Sequence, residues 1–339
     1  MSWESRFLRA ADLLNYGLPR GAESQHLPLR VQALLAQQRT TWPQLQKALA
    51  DLGNVQTKAH QLGAARWLTQ FNPARIVSTS AKVDAAAIAA RPCFLCADNL
   101  PAEEKALAFG NDYAILCNPF PVLPQHLVIT HRQHTPQAIE QHFGELLDVT
   151  KALGEEFFTL YNGPRCGASA PDHLHFQACR YDDLPFFAHL AEWEVEPIEE
   201  ADDYVAYTLP DYPFRVMMAE SDDRDALMNW FARATAALAE VTHVEDEPLL
   251  NLVAAIDEDC WIVALFARSR HRPGCYFAEG EAQLLVSPAA IDLGGVTVVP
   301  HAEHFARLEA QQLQAIISEV TLSDAQFRQW IKALALRSR

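Results

Sequence analysis

The residues best suited to do chemistry in this 339-residue chain form the run His173-Leu174-His175-Phe176-Gln177. Read as a strand, the run puts His173, His175 and Gln177 on one face and Leu174, Phe176 and Ala178 on the other. Polar side chains backed by apolar ones describe a site mounted on a buried sheet. Just upstream, Asn162, Gly163, Gly167, Ala168 and Ser169 make a small-residue loop whose backbone amides can approach a phosphate closely. A neutral imidazole carries a free lone pair and is a good nucleophile toward phosphorus, so the expected product of attack is a nucleotidyl-histidine. Gln177 cannot shuttle protons, but it can donate a hydrogen bond to a phosphoryl oxygen. An isolated His-x-His reads more readily as two polar residues on a solvated strand. The loop before it and a cysteine pair elsewhere favour the functional reading.

That pair is Cys93-Phe94-Leu95-Cys96. Cys-x-x-Cys in a tight turn brings two thiolates to one point, as a zinc knuckle requires. A redox dithiol uses the same spacing, and two buried free cysteines are the plain structural alternative.

The His-x-His-x-Gln run resembles the signature of the transferase branch of the histidine-triad superfamily. That branch includes galactose-1-phosphate uridylyltransferases, diadenosine tetraphosphate phosphorylases and GDP-hexose phosphorylases. The stretch Gly-Ala-Ser-Ala-Pro-Asp-His-Leu-His-Phe-Gln is most similar to the last of these. The resemblance implies that His175 is the nucleophile, that Ser169 and Gln177 hold phosphate oxygens, and that chemistry is transfer rather than hydrolysis. It also implies a structural zinc on Cys93, Cys96, His134 and His173, with His131 close to the third position. A nucleotide-containing substrate and phosphate or a sugar 1-phosphate are the implied partners. A hydrolase of the same superfamily and a non-catalytic nucleotide-binding protein are the alternatives.

The surrounding elements must position these groups. Residues 1–70 read as a helical region, an accessory layer or homodimer contact, with helical spacing over 29–35 and Pro43 in the first turn of a second helix. Ile76 and Val77 suggest a short strand, with Arg75 a candidate phosphate or base contact. Residues 113–118 and 126–130 read as strands joined by a Pro-rich turn, and 136–154 as an amphipathic helix. His126, His131 and His142 read as structural or solvated. The acidic run 182–203 reads as a connection between a catalytic half, 71–190, and a second half, 191–339.

The second half shows strands over 213–218, 249–254 and 261–266, with a helix over 223–240 capped by Asp222 or Asp223. It thus repeats the strand and helix order of the first without its histidines. Arg268 and Arg270 follow the last of these strands, where a cationic cluster could grip a second phosphate. Residues 294–300 read as a late strand, 323–338 as a helix capped by Ser323, and His301 and His304 as surface residues. The expected architecture is therefore α+β and two-lobed, with an antiparallel sheet, flanking helices and a degenerate internal repeat.

Composition sets the limits. Half the residues are hydrophobic and 21% are charged, which suits a soluble globular chain. Lys plus Arg is 27 against Asp plus Glu at 43, a net charge of −16. That argues against a general nucleic-acid binder but not against one bound nucleotide. The seven cysteines, with no secretory signal pattern, suggest reduced thiols or metal ligands in a cytoplasm.

Overall fold

The computed structural model describes residues 2–21, 26–76 and 85–337. Helices α1 (Leu27–Thr41) and α2 (Pro43–Leu52) each carry a proline in the first turn, where its missing N–H costs nothing. The expected helical region stops there. Strands β1 (Gln56–Leu62) and β2 (Ala65–Phe71) form a hairpin, turning at Gly63, which has φ +58°. Along β2, buried Ala65, Trp67 and Thr69 alternate with less buried Arg66 and Leu68, the pattern of a half-buried strand. Ile76 follows a single 3-10 turn over Pro73–Arg75 rather than starting a strand, and Val77 lies outside the described residues.

The first lobe runs β3 (Ala106–Phe109), β4 (Tyr113–Cys117), β5 (Leu127–His131), α3 (Phe143–Leu153), β6 (Phe157–Asn162) and β7 (His175–Arg180). Helix α3 starts later than the spacing predicts, because the chain around Gln137 is diverted to support β7. The second lobe runs β8 (Glu196–Glu200), β9 (Val205–Thr208), β10 (Met217–Ser221), α4 (Arg224–Thr242), β11 (Leu250–Asp257) and β12 (Cys260–Ala267). Asp223 caps α4 by accepting from the amides of Asp225 and Ala226. Strand β10 begins after Pro213, which cannot donate to a ladder. Strand β13 (Val296–Val299) pairs parallel to β2 and completes a three-stranded sheet. Helices α5 (Ala310–Val320) and α6 (Asp324–Ala335) close the chain, and Ser323 caps α6 as its sequence predicts.

Ten strands form one sheet in the order β3-β4-β5-β7-β6-β11-β12-β10-β9-β8. The internal repeat is plain in that order. Each lobe lays down three strands, inserts a helix, then adds two more, the last slotting between the third and the fourth. The lobes join where β6 pairs antiparallel with β11, Asn162 opposite Asn251.

Strand alternation divides the core in two. Tyr161, Phe176, Leu252 and Leu265 pack beneath α3 and α4, where Phe143 and Phe231 stack with ring centroids 3.9 Å apart. Phe158, Leu160, Val253 and Phe266 pack on the opposite side with β2, β13 and α5. His175 and Gln177 also point to this second side, and there the packing gives way to a cavity. Among the described residues, no helix is long and apolar enough to cross a membrane.

Candidate active site

A cavity of about 670 Å³ lies against the first lobe's sheet. His175, Gln177, Asn162, Gly167, Ala168, Ser169 and Arg75 line it, so seven residues expected from sequence to act together do meet. Ser287, Ala289 and Asp292 bring the second half of the chain to the opposite wall.

His175 is 5% exposed, and its neighbours fix its protonation. Its Nδ1 lies 2.8 Å from the carbonyl oxygen of His173, which can only accept, so Nδ1 carries the proton. The lone pair is therefore on Nε2, the atom that reaches the cavity. Burial lowers the ring's pKa from the ordinary imidazole value and favours the neutral form. Gln137 holds the strand from both sides. It accepts from the amide of His175 at 2.8 Å and donates to the carbonyls of His175 at 3.0 Å and Asn162 at 2.9 Å. No sequence signal marked Gln137 for this work.

Gln177 is oriented by a residue assigned from sequence to a structural or solvated role. His126 is 3% exposed and lines the cavity. Its Nδ1 accepts from the Val122 amide at 3.2 Å, so its Nε2 donates to Gln177 Oε1 at 2.6 Å. Burial pushes the His126 pKa down to about 3, which keeps that tautomer neutral. With Oε1 occupied, the amide group of Gln177 is left to donate. Upstream, Gly167 adopts φ +99°, and a Cβ there would meet that of Ala289 at 2.7 Å, so only glycine fits the loop's approach to the second lobe. Asn162 Oδ1 accepts from Asn251 at 2.7 Å and from the Ala290 amide at 2.9 Å, tying the two lobes at the cavity's edge.

His173 does not share the face of His175. Strand β7 begins only at His175, and His173 turns away into a cluster with Cys93, Cys96 and His134, whose ligand atoms all lie within 4.8 Å of one another. The separations are 3.2 Å from Cys93 Sγ to His173 Nδ1, 3.4 Å from Cys96 Sγ to His134 Nδ1 and 3.3 Å between the two Nδ1 atoms. Tetrahedral zinc with Zn–S of about 2.3 Å and Zn–N of about 2.0–2.1 Å requires N–N and N–S edges of roughly 3.3–3.6 Å. His173 Nε2 donates to the His131 carbonyl at 2.7 Å, which leaves Nδ1 as the ligating atom. Asp172 reaches within 3.9 Å of His134 Nε2 and is itself paired with Arg91 at 2.8 Å. The donor set and its outer contacts could hold a metal in a closed site, and His173 in that cluster lies two residues from His175. The carbonyl of ligand His173 is the group that orients His175.

Two sequence candidates do not reach the cavity. Arg268 is 1% exposed and spends all five donors inside the protein. It bonds the carbonyls of Val320, Pro288, Arg270 and His271, and Asn251 Oδ1 at 2.5 Å. Its task is to knit the second lobe's loops together. Arg270 is solvent-exposed and paired with Glu319 at 2.8 Å. Their neighbour His271 lines the cavity instead. Arg75 does reach it, and donates to the Phe120 carbonyl at 2.8 Å.

With this geometry in view, the relatives can be placed. Residues 34–180 match the family described as a domain of unknown function, DUF4922, and residues 192–336 match the GDPGP1-like C-terminal domain. No curated protein matches at a significant level. Among solved structures, the yeast Ap4A phosphorylase Apa2 superposes with a TM-score of 0.59 at 14% identity, covering 88% of this chain and 95% of that one. Apa2 bound to Ap4A superposes with a TM-score of 0.51 at 16% identity, covering 82% and 97%. The second half thus resembles GDPGP1-like proteins, and the chain as a whole shares the fold of a yeast Ap4A phosphorylase. Its α+β fold, with mixed helices and antiparallel sheet, is the one shared with these yeast structures.

Proposed function

We propose that this protein is a nucleotidyltransferase of the histidine-triad kind, of phosphorylase or hexose-1-phosphate transfer type, that works through a nucleotidyl-His175 intermediate. The observation that carries the reading is the His175 ring: Nδ1 locked onto the His173 carbonyl at 2.8 Å, Nε2 free at a cavity large enough for a nucleotide. The yeast Apa2 structures with AMP and with Ap4A show that a protein of this fold takes nucleotides.

In the first step the Nε2 lone pair forms a bond to the α-phosphorus, and the bond from phosphorus to the leaving oxygen breaks. The sugar phosphate or nucleotide departs with the electron pair. The positive charge that develops on the ring is stabilised through Nδ1–H by the His173 carbonyl. The Gln177 amide and the loop at Gly167, Ala168 and Ser169 meet the phosphoryl oxygens. In the second step an oxygen of inorganic phosphate or a sugar 1-phosphate bonds to phosphorus, and the P–N bond breaks. Zinc bound by Cys93, Cys96, His134 and His173 would act as a structural clamp on the turn that presents His175, not as a Lewis acid.

Intact mass spectrometry of the protein mixed with nucleotide sugars or dinucleoside polyphosphates, without acceptor, is expected to show one added nucleotidyl group. His175→Asn is expected to abolish it, and an adduct that survives the substitution removes His175 from the role. Acceptor phosphate should be consumed stoichiometrically with substrate; turnover without phosphate uptake would indicate hydrolysis. Metal analysis should find about one zinc per chain in the wild type and almost none in Cys93→Ser, and equal content in both would remove that ligand.

A further inference from the structure

We infer that Glu247, on the approach to β11, is a positioning residue for His175. It anchors the segment that braces the nucleophile, and through it the second lobe sets the geometry of the first lobe's chemistry. The inference rests on the nucleotidyl-transfer reading above for its activity readout. It goes beyond that reading by naming a residue outside the cavity on which the nucleophile depends.

The brace is segment 135–139, which runs between β5 and α3. Its Thr135 carbonyl accepts from the Leu174 amide at 2.6 Å, and its Gln137 amide donates to the Pro171 carbonyl at 3.1 Å. The Gln137 side chain takes the amide and the carbonyl of His175 itself. Bonds before the nucleophile and at it therefore fix the turn that delivers the ring.

Segment 135–139 belongs to no named strand or helix, so its own amides need acceptors from elsewhere. Glu247 supplies one. Its Oε2 accepts from the amide of Ile139, which is 1% exposed, at 2.6 Å. Its Oε1 accepts from the Tyr161 hydroxyl at 2.7 Å. Tyr161 precedes Asn162 on β6, and the Asn162 carbonyl is the other acceptor of the Gln137 amide group, at 2.9 Å. One carboxylate thus holds both the segment that carries Gln137 and the strand that Gln137 ties to β7.

Glu247 is itself held in place. Its backbone carbonyl accepts from Arg165 at 2.8 Å. A Cβ on Gly163 would meet the Leu250 oxygen at 2.8 Å and Glu247 Oε1 at 3.2 Å, so glycine allows the end of β6 to close on this turn. Burial raises the Glu247 pKa, and the Ile139 amide, the Tyr161 hydroxyl and Arg165 pull against that rise. Burying a carboxylate is costly, and the charge-assisted bonds to the Ile139 amide and the Tyr161 hydroxyl offset that cost. Glu247 does not line the cavity, so its loss should move the ring without touching substrate.

The test uses the full chain with Glu247→Met, Glu247→Gln, Gln137→Ala and the double variant Glu247→Met with Gln137→Ala. Methionine keeps the length and removes the acceptor. Glutamine keeps an oxygen for Ile139 and turns its amide group to the Tyr161 oxygen. Nucleotidylation of His175 is followed by intact mass with nucleotide sugars and dinucleoside polyphosphates. Glu247→Met should slow it about 10²-fold per folded molecule, the scale of a small misplacement of a reacting group, with half-saturation unchanged. Glu247→Gln should restore most of the rate. Adding Glu247→Met to Gln137→Ala should cause no further loss, because the two act in series. An unchanged rate in Glu247→Met, or additive losses in the double variant, overturns the assignment. Nitrogen-15 spectra of the imidazoles, with His175→Asn identifying the signal, read the same geometry without substrate. The wild type should carry its proton on Nδ1 alone, and Glu247→Met should show a mixture of tautomers. If no adduct forms on the wild type but the tautomers still mix in Glu247→Met, the nucleotidyl reading fails and Glu247 keeps its role. A ring spectrum that Glu247→Met leaves unchanged removes that role.

Discussion

The two lobes share one connectivity and divide the labour. In the first, β7 presents His175 and Gln177 to a cavity. In the second, β12 occupies the same slot between its neighbours, yet Trp261 to Ala267 are all buried and apolar. Phe266 there sits edge-on to Phe186 and Phe214, each with centroids 5.4 Å away. The scaffold therefore does not specify a site. A site arises where loops, rather than core side chains, cover one face of the sheet. The second lobe supplies stability, and its loop at residues 287–292 supplies a wall.

The comparison can be broken most sharply at His175. His175→Asn should lower turnover by a factor on the order of 10⁶, the scale seen when a nucleophile is removed, while leaving the denaturation midpoint nearly unchanged. A comparable loss of stability would mean that the ring is a packing residue like those of β12. The converse experiment is Phe266→Ala, expected to cost about 3–5 kcal/mol in urea denaturation and to leave kcat per folded molecule unaltered. If kcat falls with it, the second lobe is more than a support.

Gln177→Ala sharpens the first lobe's chemistry. Loss of a donor to the phosphoryl oxygens should lower kcat about 10²–10³-fold with little change in KM. His126→Phe should reproduce part of that loss, because His126 holds Gln177 Oε1. The smallest effect is expected at Arg270→Ala. Its exposed pair with Glu319 should be worth less than about 1 kcal/mol, with kinetics unchanged. A rise in KM for the phosphate-bearing substrate would return Arg270 to the site.

Much of the first lobe was legible in the residues. Alternation placed His175 and Gln177 on one face and Phe176 in the core, as strand geometry dictates, but it also put His173 with them, and the strand begins only at His175. The Cys-x-x-Cys spacing brought two thiols to one point, where His134 and His173 join them in a group that could hold a metal. The hairpin at 56–71 was missed. β1 is largely exposed and polar, and its pairing with β2 and then β13 brings together residues more than 200 positions apart. Arg268 looked like a phosphate ligand for a related reason: its partners come from Asn251, residues 270–271, Pro288 and Val320, none of them its neighbours on one element.

The sequence by itself thus determined which groups could react, since local periodicity and spacing act within a few residues. The tertiary structure alone decided which of them reach the cavity and which nitrogen of His175 keeps its lone pair. Hydrogen-bond satisfaction and burial are properties of neighbours in space, and no local pattern encodes them.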